Sequence, residues 1–392
     1  MKLALVVPGG VDRAGEIRVI PALLSLIRRL SRTHEVHVFA LQQEETEGCW
    51  ELAGATIHNI GTGRTILRGI AMIRAEHRRA PFDVVHAIFS GACGVLAVAA
   101  AKSLRLPSLV HVAGGELASL RDIGFGGRLT WKGRLREALV LRNTDSVTAA
   151  SAPVIDVLRS LGIRARRVPL GVDLRAWPPR APRPRDRGSA RLIHVASLNR
   201  VKDQPTLLKA LAVLVEKNID FRMDIVGFDT LHGEMAQLAR SLGLERHVRF
   251  HGFKSHRELR PHMESADLLV MSSRHETGPL VLLEAAVAGV PTVGTLVGHI
   301  AEWAPAAALA VPVGDWAALA DAMLTVLHDE ALRMRLARAA QCKALSEDAD
   351  CTARHFEALY MHLKTRNNRG RRKRFASALW HQHLSRKNPK LP

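Results

Sequence analysis

Cysteine is sparse in this chain and never paired in sequence: Cys49, Cys93, Cys342 and Cys351 are scattered through 392 residues without a C-x-x-C pair. That spacing suggests neither a zinc site nor a disulfide framework, and a reducing cytoplasm is the natural setting. Long apolar runs are missing too. The weakly polar stretch Pro279 to Val297 is broken by Glu284, Gly289, Pro291 and Gly294, whereas a spanning helix needs about 20 unbroken apolar residues. The opening MKLALVVPG is too short for a signal-peptide core and no small-residue cleavage pattern follows it, so it is expected to form a first strand. No G-x-x-x-x-G-K-[ST] loop, H-E-x-x-H helix or G-x-S-x-G elbow occurs. Nucleoside triphosphate hydrolysis, zinc proteolysis and serine hydrolysis therefore have no support.

Acidic residues are also in deficit, 37 against 56 lysines and arginines, and the deficit is local. Residues 1–180 carry 25 basic and 15 acidic side chains, residues 191–364 carry 19 and 21, and residues 365–392 carry nine and none. Such a distribution attracts an anionic partner, either a phosphorylated lipid, an acidic membrane surface or nucleic acid, unless it is only a solvated basic face.

What is present is an alternation. LALVVPG, HEVHVFA, ATIHNIG, FDVVHAIF, SLVHVAGG and SVTAAS read as short strands, with amphipathic stretches such as PALLSLIRRL and GVLAVAAAKSL between them. This is the rhythm of βα units building a parallel sheet. It stops at 177–190, where Pro178, Pro179, Pro182 and Pro184 mark a semi-rigid linker. A second series follows in RLIHVASL, FRMDIVGF, HVRFHGF, ADLLVMSS, VPTVGTLVG and ALAVPVG. The expected architecture is α/β with two Rossmann-like, doubly wound domains facing each other across a cleft. They are placed at 1–176 and 191–364, with a basic tail over 365–392 that is either disordered or a loosely docked helix. Ligands of such sheets bind outside the strand C-termini, so the chemistry belongs to the strand-to-helix loops.

The most informative segment is SRHETGPLVLLEAAVAGVPTVGT, which sets Glu276 at a strand exit and Glu284 eight residues later in an almost wholly apolar helix. A carboxylate there needs hydrogen-bond donors, from ribose hydroxyls or from a basic neighbour. The start of the helix offers free backbone N–H groups and a positive dipole end, suited to a diphosphate.

On these residues the chain resembles the retaining glycosyltransferases of family four, the glycogen-synthase-like group with two Rossmann-type domains, from Met1 to about Tyr360. The resemblance implies transfer of a sugar from a nucleotide diphosphate donor such as a UDP- or GDP-sugar, with retention of configuration and with no metal or other cofactor. The family's E-x7-E motif falls on Glu276 and Glu284, implying donor-sugar contact for the first and ribose contact for the second. Where the family has a Gly-Phe-Gly type loop, this chain has Thr277, Gly278 and Pro279. Diphosphate contact is carried onto the N–H groups of Leu280 and Val281, since proline has none to give. In HVASLNRVKDQPTLLKAL, Lys202 stands at the family's phosphate-binding lysine. Ser197 occupies the arginine position, and Arg200 is the substitute within the loop.

The Gly-Gly-x-x-Glu turn appears with Gly298 and Glu302 kept and His299 in place of the second glycine; His299 either reaches a phosphate or base or is a surface residue. Gly171, Val172 and Asp173 match a structural turn. After the first strand, Gly9 and Gly10 are implied to lie near the donor sugar and diphosphate. The family's His-Gly pair is altered: Ala113 stands at the histidine position, and His111, on the same strand face, is either its replacement or a core residue. The pair Asp348 and Asp350 reads as a helix cap.

The expected acceptor is a glycolipid or polysaccharide at an inner membrane face, with an anionic membrane surface as a partner of the first domain and tail and with no nucleic acid. An epimerase or phosphorylase of the same fold, or a basic binding protein using Arg369 to Arg374 on RNA or membrane, are the competing readings.

Overall fold

The computed structural model describes residues 1–386 apart from Arg187, with side chains described through Arg369. Its first sheet comprises β1 (Lys2–Val7), β2 (Glu35–Ala40), β3 (Gly48–Leu52), β4 (Ala55–Asn59), β5 (Val84–Ile88), β6 (Ser108–Val112), β7 (Ser146–Ala149) and β8 (Arg166–Arg167), ordered β3-β4-β2-β1-β5-β6-β7-β8. Helices α1 (Pro21–Leu30), α2 (Thr65–Arg79), α3 (Ala92–Leu104), α4 (Trp131–Asn143) and α5 (Ala152–Ser160) cover it. The second sheet, β9 (Ala190–Val195), β10 (Phe221–Val226), β11 (Val248–Phe250), β12 (Leu268–Met271), β13 (Thr292–Thr295) and β14 (Leu309–Val311), runs β11-β10-β9-β12-β13-β14. It is flanked by α6 (Gln204–Glu216), α7 (Glu234–Ser241), α8 (His256–Ser265), α9 (Leu280–Val287), α10 (Gly298–Trp303), α11 (Trp316–His328) and α12 (Glu330–Ser346). A last helix, α13, spans Ala349–Arg386.

Alternation within the strands explains the layering. In β1, Leu3, Leu5 and Val7 enter one apolar cluster while Ala4 and Val6 enter another on the opposite face. A strand buried on both sides must be apolar throughout, which is why these strands read as continuous runs. The order of strands reverses between β1 and β5 in the first sheet and between β9 and β12 in the second. Those two reversals are the topological switch points, where crossover helices leave on opposite faces and open a crevice at the strand exits.

The strands read from the sequence are all present, and two were not foreseen. β3 pairs antiparallel with β4 through the turn at Ala53 and Gly54, and its alternating, half-exposed GCWEL lacks the apolar signature of the others. β8 is only two residues long.

The domain limits need correction at both ends. Val168 is buried with the first lobe, but Val172 and Trp177 are already buried with the second, so the chain crosses near Gly171 rather than within 177–190. The segment 349–364 belongs to the first lobe, because α13 buries Ala353, Phe356, Leu359, Tyr360 and Leu363 in the cluster that contains Leu3 and Leu5. Their spacing of three, three, one and three forms one helical stripe. The Tyr360 hydroxyl meets His86 Nδ1 at 2.7 Å in the interior. The tail continues this helix to Arg386; the side chains of Arg371 to Arg374 lie outside the described residues. Among the described residues no helix is long and apolar enough to cross a membrane.

Candidate active site

The exits of β9 and β12 meet at the second switch point, and backbone bonds stitch them together. Arg274 N donates to Val201 O at 2.8 Å, and Ser272 Oγ donates to Lys202 O at 2.8 Å. This brings Lys202 Nζ to 2.5 Å from Glu276 Oε1, which also accepts from Ser273 Oγ at 2.7 Å. The pair is mostly buried, with side-chain exposures of 23% and 10%. A carboxylate with two donors is fixed in direction, and the lysine is held at the mouth of the crevice.

Two glycines allow this packing. A Cβ on Gly278 would lie 2.9 Å from Ala150 Cβ and 3.0 Å from His299 Cε1. Gly298, at φ +51°, would place a Cβ 3.0 Å from both the Cβ and the carbonyl oxygen of Glu276. Any side chain at either position would displace the Glu276 loop. Lys202, Glu276, Gly278, Gly298 and His299 thus come together in one cluster.

Glu284 is different. It lies on α9, 3% exposed, and its Oε1 makes no hydrogen bond. His256 Nε2 lies 3.3 Å away without bonding geometry. Burial pushes the carboxyl up to about 8, and burial lowers His256, so the two are near neighbours rather than an established ion pair. An orphaned buried carboxyl is costly, and it suits a ligand that brings hydroxyl donors. At the start of α9, the N–H groups of Leu280 and Val281 have no protein acceptor among the described residues, since the first bond of that turn is Leu282 N to Pro279 O.

Other expectations are redirected. Arg200 does not join the lysine; its guanidinium binds Glu234 at 2.9 Å, at the start of α7. Ser197 is exposed and brings no charge. His299 is not a surface residue, and its Nδ1 has no partner among the described residues. It is fully buried, with Nε2 3.1 Å from Ala150 O of the first lobe and its ring stacked on Trp303. Glu302 likewise holds the first lobe, accepting from Ala152 N at 2.8 Å and pairing with Arg167 at 2.6 Å. His111 is the core residue of its two readings. Its Nδ1 meets Thr148 Oγ1 at 2.9 Å, and burial lowers it to about 3. Gly9 and Gly10 stand at the exit of β1, but their neighbours are Gln43 and Ile20 of the same lobe; Gly10, at φ +79°, would put a Cβ 2.5 Å from Ile20 Cγ1. Asp348 caps α13 through Cys351 N at 2.7 Å, while Asp350 pairs with Arg29 at 2.6 Å.

The sequence reading missed the cross-cleft contacts of the Glu276 loop. Arg274 pairs with Asp122 at 2.6 Å, Thr277 Oγ1 donates to Ala113 O at 2.6 Å, and the His275 ring lies 5.9 Å from that of Phe125 with its Nε2 unpaired. Neighbouring letters in one loop were the only signal. Phe228 and Phe253, both more than half exposed, follow β10 and β11 at the same end of the sheet. In the first lobe, Ser90 N donates to Glu116 at 2.9 Å and Ser90 Oγ binds buried Glu137, whose carboxyl burial pushes up to about 7. Two clusters with metal-ligand chemistry, His37 with His58 and Glu76, and Asp224 with His251 and His262, contain none of these site residues.

Residues 22–176 match the family described as Glycosyltransferase Family 4, and residues 179–343 match Glycosyl transferases group 1. The glycogen synthase of Mycobacterium tuberculosis is 31% identical over 325 residues, which cover 78% of this chain and 78% of that protein. The D-inositol 3-phosphate glycosyltransferase of Corynebacterium urealyticum is 30% identical over 60% of this chain and 61% of its own length. Among solved structures, sucrose-phosphate synthase from Thermosynechococcus elongatus superposes with a TM-score of 0.79 at 18% identity, over 93% of this chain and 99% of that one. Anabaena HepE, in complex with UDP-glucose, superposes at 0.70 with 20% identity, over 92% and 100%.

Proposed function

Since the chain belongs to the group 1 glycosyltransferases of the family 4 type, we propose that it transfers a hexosyl group from a nucleotide diphosphate sugar, with retention of configuration and without a metal, to a lipid-linked or polysaccharide acceptor. The observation that carries the reading is the Lys202–Glu276 pair at the switch point, beside free N–H groups of α9. When the bond between the anomeric carbon and the diphosphate oxygen breaks, the electron pair leaves with the diphosphate. Lys202 and the N–H groups of Leu280 and Val281 stabilise that charge, in a crevice where fixed donors act more strongly than water does. Glu276, held by Ser273, orients the sugar hydroxyls. For attack from the same face, the departing phosphate oxygen is the base at hand to take the acceptor proton. Glu284 receives the ribose hydroxyls and loses its unpaired state.

Ser197 has no charge, and Arg274, two residues from Glu276, supplies a second cation by exchanging Asp122 for phosphate on donor binding. Phe228 and Phe253 offer faces against which a base can stack. A uridine donor is favoured by the UDP and UDP-glucose complexes of HepE. The basic first lobe suits an anionic carrier at the inner face of a membrane, with the enzyme cytoplasmic or peripheral there.

A thermal-shift series with UDP, GDP, ADP and their sugars tests the donor, because a ligand that binds the folded state must raise its melting temperature. One family of nucleotides should stabilise the wild type and fail on Glu284→Gln. If no nucleotide diphosphate or nucleotide sugar stabilises the protein, the assignment falls. The anomeric proton signal of the product reports retention or inversion directly.

A further inference from the structure

Helix α4 turns a large apolar stripe outward. Trp131, Leu135 and Leu139, four residues apart, are 63%, 51% and 55% exposed. Their spacing lines them up along one side, while Gly133, Glu137, Val140 and Leu141 face the lobe. The charges on this helix are one-sided. Its single acid, Glu137, is buried on Ser90, and Lys132, Arg134, Arg136 and Arg142 are all exposed. Lys132 Nζ lies 5.8 Å from the Trp131 ring centroid.

Beside the stripe is a groove of about 290 Å³ lined by Arg128, Arg134 and Arg142 together with Leu135, Leu141 and Leu161. The basic surface continues past the end of the helix. Asn143 binds Lys102 of α3, and Asn367 Nδ2 donates to Arg105 O at 3.4 Å, bringing the start of the nine-cation tail alongside.

We propose that this face of α4 docks on an anionic lipid bilayer, with Trp131, Leu135 and Leu139 entering the headgroup region and the three-arginine groove taking a lipid phosphate. An aromatic and two leucines flanked by basic residues, with no exposed acid within the helix, is the composition of a helix that lies in a membrane interface. Charge selects the occupant. A second copy packed symmetrically would set the same cations against each other, and the basic tail would be repelled. A negatively charged surface satisfies both the arginines and the stripe. The inference deepens the reading of a membrane-held acceptor, and its assay contains neither donor nor acceptor, so the two can fail separately.

The full-length protein is floated with vesicles of phosphatidylcholine alone and with phosphatidylglycerol added. The wild type should bind only the anionic vesicles, and raising salt to about 0.5 M should weaken binding by screening. Leu135→Glu with Leu139→Glu should weaken it by about tenfold or more, and Arg134→Ser with Arg142→Ser by a similar factor. Both pairs are exposed, so circular dichroism melts and the nucleotide thermal shift should match the wild type. The proposal is overturned if the wild type fails to float, or if both double variants float as it does, which would assign binding to the tail. A wild-type dimer that the leucine variant turns into monomer, without vesicle binding, would instead make α4 a contact between copies.

Discussion

The two lobes share one architecture and differ in what their strand exits leave unpaired. In the first lobe the exits are tied inward: Gln43 accepts from Val11 N, Ser90 is held by Glu116 and Glu137, and His111 is sunk in the core. In the second, the switch point presents Lys202 with Glu276, an orphaned Glu284 and two free N–H groups. Their charge balances also differ, strongly basic in the first and slightly acidic in the second. A doubly wound sheet therefore supplies a crevice in each half, and the loop residues decide which crevice can hold a diphosphate.

The sharpest way to break this contrast is to remove the charge that defines the second crevice. Lys202→Ala and Glu276→Ala should each lower kcat by about 10²–10³ in a steady-state transfer assay, the usual scale for losing a preorganised stabilising group. Ser90→Ala in the first lobe should leave kcat within about tenfold. Equal losses in the two lobes would erase the asymmetry.

Next in size is Glu284→Gln. It should weaken nucleotide binding by about tenfold in calorimetry, the scale of a lost hydrogen bond in a buried site. Stability should move the other way. A carboxyl raised to about 8 when folded keeps its proton while the unfolded chain loses it near 4.5, so it subtracts stability as pH climbs through that window. The glutamine variant should gain melting temperature relative to wild type at pH 8 and gain none at pH 4. A variant equally or less stable at pH 8 would show that Glu284 has donors in the folded protein.

Much of this was legible in the sequence. The strands with apolar runs, the E-x7-E spacing and the lysine loop all carry their signal within a few residues; the strands form where those runs place them, and Lys202 meets Glu276. Contacts between lobes were not legible, because they join residues far apart in the chain. Nothing local to His299 or Glu302 says that Ala150, Ala152 and Arg167 will be their partners. Arg200 points to Glu234 rather than to the lysine in its own loop because an acidic side chain begins α7. The Phe356–Tyr360 stripe reads simply as amphipathic helix, and only the assembled first lobe shows which core it completes.

A smaller effect should come from the cross-lobe contacts. Glu302→Ala leaves Ala152 N and one side of Arg167 without their acceptor, at a cost of about 1–3 kcal/mol for a partly buried charged network. The measurement is a denaturant melt together with KM for the donor. A stability loss with unchanged KM would mean that the contact holds the lobes without shaping the site.

Gentlest near neutrality is the acid limb. Burial holds His58 and His194 down to about 4 and His111 to about 3, so between pH 6.5 and 4 the unfolded chain binds more protons. The stability these histidines contribute should fall as pH drops through that range and level off above it. His58→Gln should flatten the slope for the first lobe, and His194→Gln for the second.

The chain passes between lobes twice, and the passages touch. Gly171 N donates to Thr352 Oγ1 at 2.8 Å, Thr352 Oγ1 donates to Pro169 O at 2.8 Å, and Ala349 N donates to Val172 O at 3.0 Å. A Cβ at residue 171 would fall 2.1 Å from the Glu347 carbonyl oxygen, so the backbones are as close as they can be. Two cords knotted at one spot permit a swing about that spot but resist sliding and twisting. A swing about that spot would have to part the buried His299–Ala150 contact and the Glu302–Ala152 bond, so these contacts hold the strand exits of the two lobes in one alignment.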